Sequence, residues 1–181
     1  MRAWLLIVAI VFSSANTMAQ TAQRAEAPSC TTTICDLCFS PQESCDQKLI
    51  SYLDTAEKTL DIAIYSLTLD GIGKSIRRAQ KRGVKIRIIA DYKSSFIKSS
   101  IVNELKDDGI PLHLWSGENS QGGLMHHKFA IIDGQIIQTG SYNYSQNATS
   151  RNAENQIYMS DHSTIKKYQQ EFERLWAQHE E

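Results

Sequence analysis

The chain of 181 residues is short of almost everything that marks a specialised composition. It has three prolines, and no run of Pro, Gly or Ser long enough to read as a linker or low-complexity tract, so a single continuous domain is expected. Nineteen Lys and Arg against twenty Asp and Glu leave a net charge of −1, which removes any global attraction for a polyanion. A nucleic acid partner would have to rely on a local basic groove around Lys93, Lys98 and Lys128. No cluster of carboxylates or histidines has metal-ligand spacing, so neither a metal nor any other cofactor is expected. The one long apolar run, Trp4 to Phe12, falls short of the about 20 residues that span a bilayer. Preceded by Arg2 and followed by the small residues of Ser13 to Ala19, it reads as a secretory signal peptide over 1–19. The mature chain is then periplasmic or secreted, with no stable membrane association.

Cysteine is scarce too, and it is confined to Cys30, Cys35, Cys38 and Cys45. Four cysteines permit three pairings, and an oxidising compartment favours two bridges over the zinc site that a C-x4-C-x2-C-x6-C spacing would also allow. Cys38 with Cys45 is the preferred pair, since it would close the Phe39-Ser40-Pro41 turn at the mouth of the first helix. Residues 20–37 are taken as a Cys-containing N-terminal segment and 38–181 as the single folded domain.

What the chain does have is periodicity. Helical spacing over Cys45 to Thr59, Asp70 to Arg82, Ser95 to Asp108 and from Thr164 onward alternates with strand patterns at Leu60 to Tyr65, Val84 to Ala90 and Ile110 to Trp115. A hairpin over 128–139 turns at Asp133-Gly134, and a short strand lies around Gln156 to Met159. The fold class is α/β, a mixed β-sheet flanked by helices on both faces.

The chemistry gathers in one window. His126 and Lys128, two apart at the head of a strand, leave the same face, and the hairpin returns Gly140-Ser141-Tyr142-Asn143 beside them. A near-neutral base or nucleophile, a fixed cation and neutral donors suit a phosphodiester whose negative charge grows during attack. His127 should face away. Arg77, Arg78, Lys81 and Arg82 share a helical face that reads equally as a backbone-tracking strip or as a solvated surface.

These residues, His126-x-Lys128-x4-Asp133-x6-Gly140-Ser141-x-Asn143, resemble the signature of the phospholipase D superfamily at all six positions. Tyr65-Ser66-Leu67-Thr68, Lys81-Arg82-Gly83-Val84 and Asn152-Ala153-Glu154-Asn155 look like the small, single-motif bacterial endonucleases of the Nuc type. The likeness covers roughly residues 38 to 178. It implies a phospholipase D-like single domain and a catalytic set of His126, Lys128, Asn143, Glu154, Ser141 and Asp133. His126 would be the nucleophile, with Lys128, Asn143 and Ser141 binding phosphate. Glu154 would take the Nδ1 proton of His126, whereas Asp133, about 15 Å off by strand rise, should tie the turn rather than touch phosphate.

A histidine nucleophile needs a second group to protonate the leaving alkoxide, and the family meets this with paired motifs. One motif per chain therefore implies a C2 homodimer sharing one site, with two copies of His126 in opposite roles. The expected function is an exported, metal-independent endonuclease acting on DNA or RNA through a phosphohistidine. Phospholipid hydrolysis is the alternative, and a non-catalytic nucleic-acid-binding module a second one.

Overall fold

The computed structural model describes residues 33–117 and 122–178, so the expected signal peptide and Cys30 lie outside the described residues. Seven strands form one mixed sheet: β1 (Ile34–Ser40), β2 (Thr59–Ile64), β3 (Lys85–Asp91), β4 (Leu112–Trp115), β5 (Lys128–Ile132), β6 (Ile136–Gly140) and β7 (Glu154–Met159). Their order is β1-β7-β6-β5-β2-β3-β4; β2, β3 and β4 run parallel and the remaining pairs antiparallel. Helices α1 (Cys45–Leu53), α2 (Asp70–Lys81), α3 (Tyr92–Ser95), α4 (Val102–Asp107), α5 (Gln146–Ser150) and α6 (His162–Trp176) connect and cover them.

Each face of the sheet has its own apolar core. On one, Leu49 and Leu53 of α1, Ile72, Ile76 and Ala79 of α2 and Leu105 of α4 pack on Leu60, Ile62, Ile88 and Ala130. These helical positions recur at three- and four-residue spacing, which makes one buried stripe per helix. On the other face, Ile165, Phe172 and Leu175 of α6 cover Ala63, Ile89, Phe129 and Ile131. β2 and β5 are buried on both sides, which is why their sequences run apolar without alternating.

The structure departs from the periodicity at several places. The helix expected over Ser95 to Asp108 is broken into α3 and α4. Asp91 accepts from Ser94 N at 2.8 Å and starts α3 early, while Ile101 N donates to Leu67 O at 3.1 Å and pulls the chain out of helical register before α4. β1 pairs with β7 from Ile34, within the segment read as preceding the domain. Its sequence carries no strand pattern, since Leu37 and Phe39 point outward and cysteines stand at Cys35 and Cys38. α5 is short and polar, and its cue is Ser145 capping Ala148 N. Helix α1 stops at Leu53, short of Thr59.

Cys38 and Cys45 are bridged, joining the end of β1 to the start of α1. Cys35 is exposed and bridges no described residue, so a second bridge would involve Cys30, outside the described residues.

The β5–β6 turn is fixed by Asp133. Its backbone is left-handed, with φ 53° followed by 64° at Gly134, and Gln135 N donates to Ile132 O at 2.9 Å within the three-residue connection between paired Ile132 and Ile136. Its carboxylate accepts from the backbone N–H of Glu57, Lys58 and Thr59 at 3.0, 2.7 and 2.8 Å, and its own N–H donates to Thr59 O. Burial pushes this carboxyl up, but the three amides together hold it below the usual carboxylate range. Asp133→Ala should therefore cost about 2 kcal/mol in chemical unfolding at pH 7. Because the folded-state pKa is depressed, that contribution is present above the unfolded value near 4 and is lost as pH falls through the folded one. The gap between wild type and Asp133→Ala should close on acidification; a constant gap would contradict the assignment.

Candidate active site

The site lies where β2 and β3 end and antiparallel β5 begins. Pairing of Ile64 with Lys128, together with the Tyr65 N to His127 O bond of 2.9 Å, sets the 126–128 segment against Tyr65. Lys128 heads β5, buried to 7% exposure, and its ammonium curls back to donate to His126 O at 2.6 Å and His126 Nδ1 at 2.9 Å. Tyr65 closes one side. Its ring stands 4.5 Å from that of His126, and the Lys128 Nζ sits 5.1 Å from the Tyr65 centroid, within cation–π range.

These placements tune the charges. Burial first, then the Lys128 ammonium, pushes His126 below the ordinary histidine value, against a smaller upward pull from the buried carboxylate of Asp91. Burial also lowers Lys128, while Glu154 pulls it back up. At neutral pH the site therefore presents an uncharged imidazole beside an ammonium. With that ammonium donating to Nδ1, the ring proton sits on Nε2.

Glu154 was expected at Nδ1. Instead it starts β7, two strands from β5, and its Oε1 accepts from Asn152 Nδ2 at 3.0 Å, so its influence on the site is electrostatic and runs through Lys128. The same-face spacing of His126 and Lys128 lets the lysine reach Nδ1 first. Asn143 follows the hairpin, and its Oδ1 is buried without a partner among the described residues. Ser141 Oγ accepts from Asn155 N at 3.1 Å and tethers the 140–143 loop to β7. Gly140, at φ 150°, must be glycine: a Cβ there would stand 2.2 Å from Asn155 O.

Asp133, grouped with the catalytic candidates by the motif, is at the opposite end of β5 with its oxygens committed to the turn. His127 faces away, 3.3 Å from Glu171 of α6. Arg77 and Arg78 pair with Asp108 and Asp54, and Arg82 donates to Ala56 O, which makes that strip part of the scaffold. Among the described residues no group of three or more His, Cys, Asp or Glu is placed to hold a metal.

Two neighbours had no role assigned from the sequence. Tyr65 was legible only as a shared stretch of text. Asp91, at the end of β3, bonds Met125 N at 3.1 Å and so anchors the approach to His126. Beside His126 opens a cleft of about 270 Å³ lined by Trp115, Leu124, Met125, His127, Arg174 and Leu175.

A mixed sheet covered on both faces, with a buried lysine and a histidine at the head of an inner strand, defines a phospholipase D-like domain. Residues 49–176 match the family model described as cardiolipin synthase, PLD-like domain, and the chain belongs to this phospholipase D-like family. Two solved structures are similar over 82% of the chain, each at a TM-score of 0.74. They are the phospholipase D family member Nuc from Salmonella typhimurium, 26% identical with 97% of it covered, and NucT from Helicobacter pylori, 32% identical with 98% covered. A mitochondrial cardiolipin hydrolase of Chlamydomonas reinhardtii is 34% identical over 71% of this chain, and a phospholipase D of Rickettsia prowazekii 32% over 74%. The chain spans 56% and 63% of those two relatives.

Histidine NMR titration tests the site's electrostatics. His126 should titrate below about 6.5, and Lys128→Met should raise its pKa by removing the neighbouring positive charge. An unchanged value in that variant would refute the coupling.

Proposed function

We propose that this protein is a metal-independent phosphodiesterase that hydrolyses nucleic acid phosphodiester bonds through a phosphohistidine at His126, in a site shared by two copies of the chain. The observation that carries this reading is the neutral His126 beside the buried ammonium of Lys128, with the Asn143 amide on the neighbouring loop.

Phosphate entering the site competes for the Lys128 ammonium and draws it from Nδ1. That nitrogen can then hold the proton while Nε2 gains the lone pair that attacks phosphorus. Lys128 and the amide of Asn143 bind the non-bridging oxygens and stabilise the charge that builds on them. In the C2 dimer, His126 of the second copy takes up a proton from solvent as the phosphate's negative charge enters, protonates the leaving oxygen as the imidazolium, and as the neutral imidazole then takes a proton from the attacking water. Near-complete coverage of Nuc and NucT, together with the resemblance to Nuc-type endonucleases, supports nucleic acid as substrate. The signal-like segment 1–19 and the Cys38–Cys45 bridge support export to the periplasm or beyond.

The cardiolipin hydrolase relatives favour a second reading, hydrolysis of a phospholipid headgroup by the same residues. The mature protein should cleave plasmid or single-stranded DNA in excess EDTA, and His126→Ala should lower the rate by about 10³-fold or more. Cleavage that requires Mg²⁺, or that persists in His126→Ala, contradicts the mechanism. Inert DNA with headgroup release from cardiolipin liposomes would transfer the site to the phospholipid reading.

A further inference from the structure

Four of the seven exposed large hydrophobic residues among the described residues lie in two short segments at the mouth of the site. Tyr92, Phe96 and Ile97 are 47%, 59% and 47% exposed, and Leu124 is 50% exposed. The Tyr92 and Phe96 rings lie 5.0 Å apart, and the Asp91 to Met125 hydrogen bond holds the two segments together. This surface arises from the break between α3 and α4, since residues 96–101 are drawn off the helix and Phe96 and Ile97 are left in solvent. Exposed Lys93 and Lys98 stand in the same stretch, and no carboxylate occurs from Tyr92 to Asn103. Apolar side chains clustered this way, rimmed by unopposed cations, mark an interaction surface rather than scattered exposure.

We propose that this rim docks the protein on an anionic lipid bilayer, with Tyr92, Phe96, Ile97 and Leu124 entering the headgroup region and Lys93 and Lys98 facing lipid phosphates. Ring and aliphatic side chains together suit the boundary between headgroups and acyl chains, whereas Ile97 and Leu124 offer a nucleobase nothing to stack on. No helix among the described residues is long and apolar enough to cross a membrane, so the contact is interfacial. The inference goes beyond the hydrolytic reading and shares two residues with it: Lys93 and Lys98, expected from the sequence to border a basic groove for nucleic acid, here face lipid phosphates, so a bilayer and a nucleic acid compete for them. It also revises the expectation of no stable membrane association, because the exposure of Phe96 and Ile97 is a product of the broken helix.

The test uses the full mature chain carrying His126→Ala, so that turnover does not enter, and co-sedimentation with phosphatidylcholine vesicles with and without phosphatidylglycerol. Binding should require the anionic lipid. It should fall about tenfold in Phe96→Ser/Ile97→Ser and by a similar factor in Lys93→Glu/Lys98→Glu, with thermal midpoints unchanged because all four side chains are exposed. The proposal is overturned by absence of vesicle binding, or by binding that both double variants retain. Variants that lose self-association or affinity for a single-stranded oligonucleotide while vesicle binding stays absent would also overturn it, reassigning the surface to a second copy or to nucleic acid. Plasmid cleavage, measured separately on the active enzyme, reports the hydrolytic reading independently.

Discussion

The register between β2 and β5 is held at both ends, and the site depends on it. At one end Asp133 ties the hairpin turn to the amides of residues 57–59; at the other, Tyr65 N bonds His127 O. A slip of one residue would reverse every side chain on β5. Lys128 would then face α6 and Phe129 the phosphate side. The carboxylate at the far end of the motif is thus the counterpart of the histidine at its head. Asp133 acts on the site through strand position alone.

With the register fixed, the site's electrostatics follow from burial. A chain with almost no net charge concentrates one ammonium in a poorly solvated place, beneath a tyrosine ring and beside an imidazole. The cost of that burial lowers the proton affinity of both Lys128 and His126, and Glu154 and Asp91 each offset part of it. A phosphate would relieve the strain in this arrangement by supplying the missing negative charge. Binding and rearrangement of the histidine are therefore one event in this account.

Much of this was legible in the sequence, for identifiable reasons. The elements with an unbroken local pattern, the helical stripes of α2 and α6 and the continuous apolar runs of β2, β3 and β5, sit close to where the pattern placed them. The six-position motif brought His126, Lys128 and Asn143 to one end of the sheet. The disulfide between Cys38 and Cys45 follows the short loop it closes. Missing from the pattern was whatever depends on contacts distant in the chain. The bond from Ile101 to Leu67 that splits a helix leaves no local trace, nor does the pairing that recruits Ile34–Ser40 to β7. Glu154 illustrates the same limit within the site. Its residue type suited the Nδ1 proton, but only the strand order reveals that Lys128 reaches that nitrogen first.

The central claim is that His126 attacks phosphorus and forms a covalent intermediate. The stereochemical course at phosphorus tests it most directly, using a DNA substrate with one chiral phosphorothioate at the scissile position and isotopically labelled water. Two successive in-line displacements, first by His126 and then by water, predict net retention of configuration. Inversion would mean a single direct attack by water and would contradict the account.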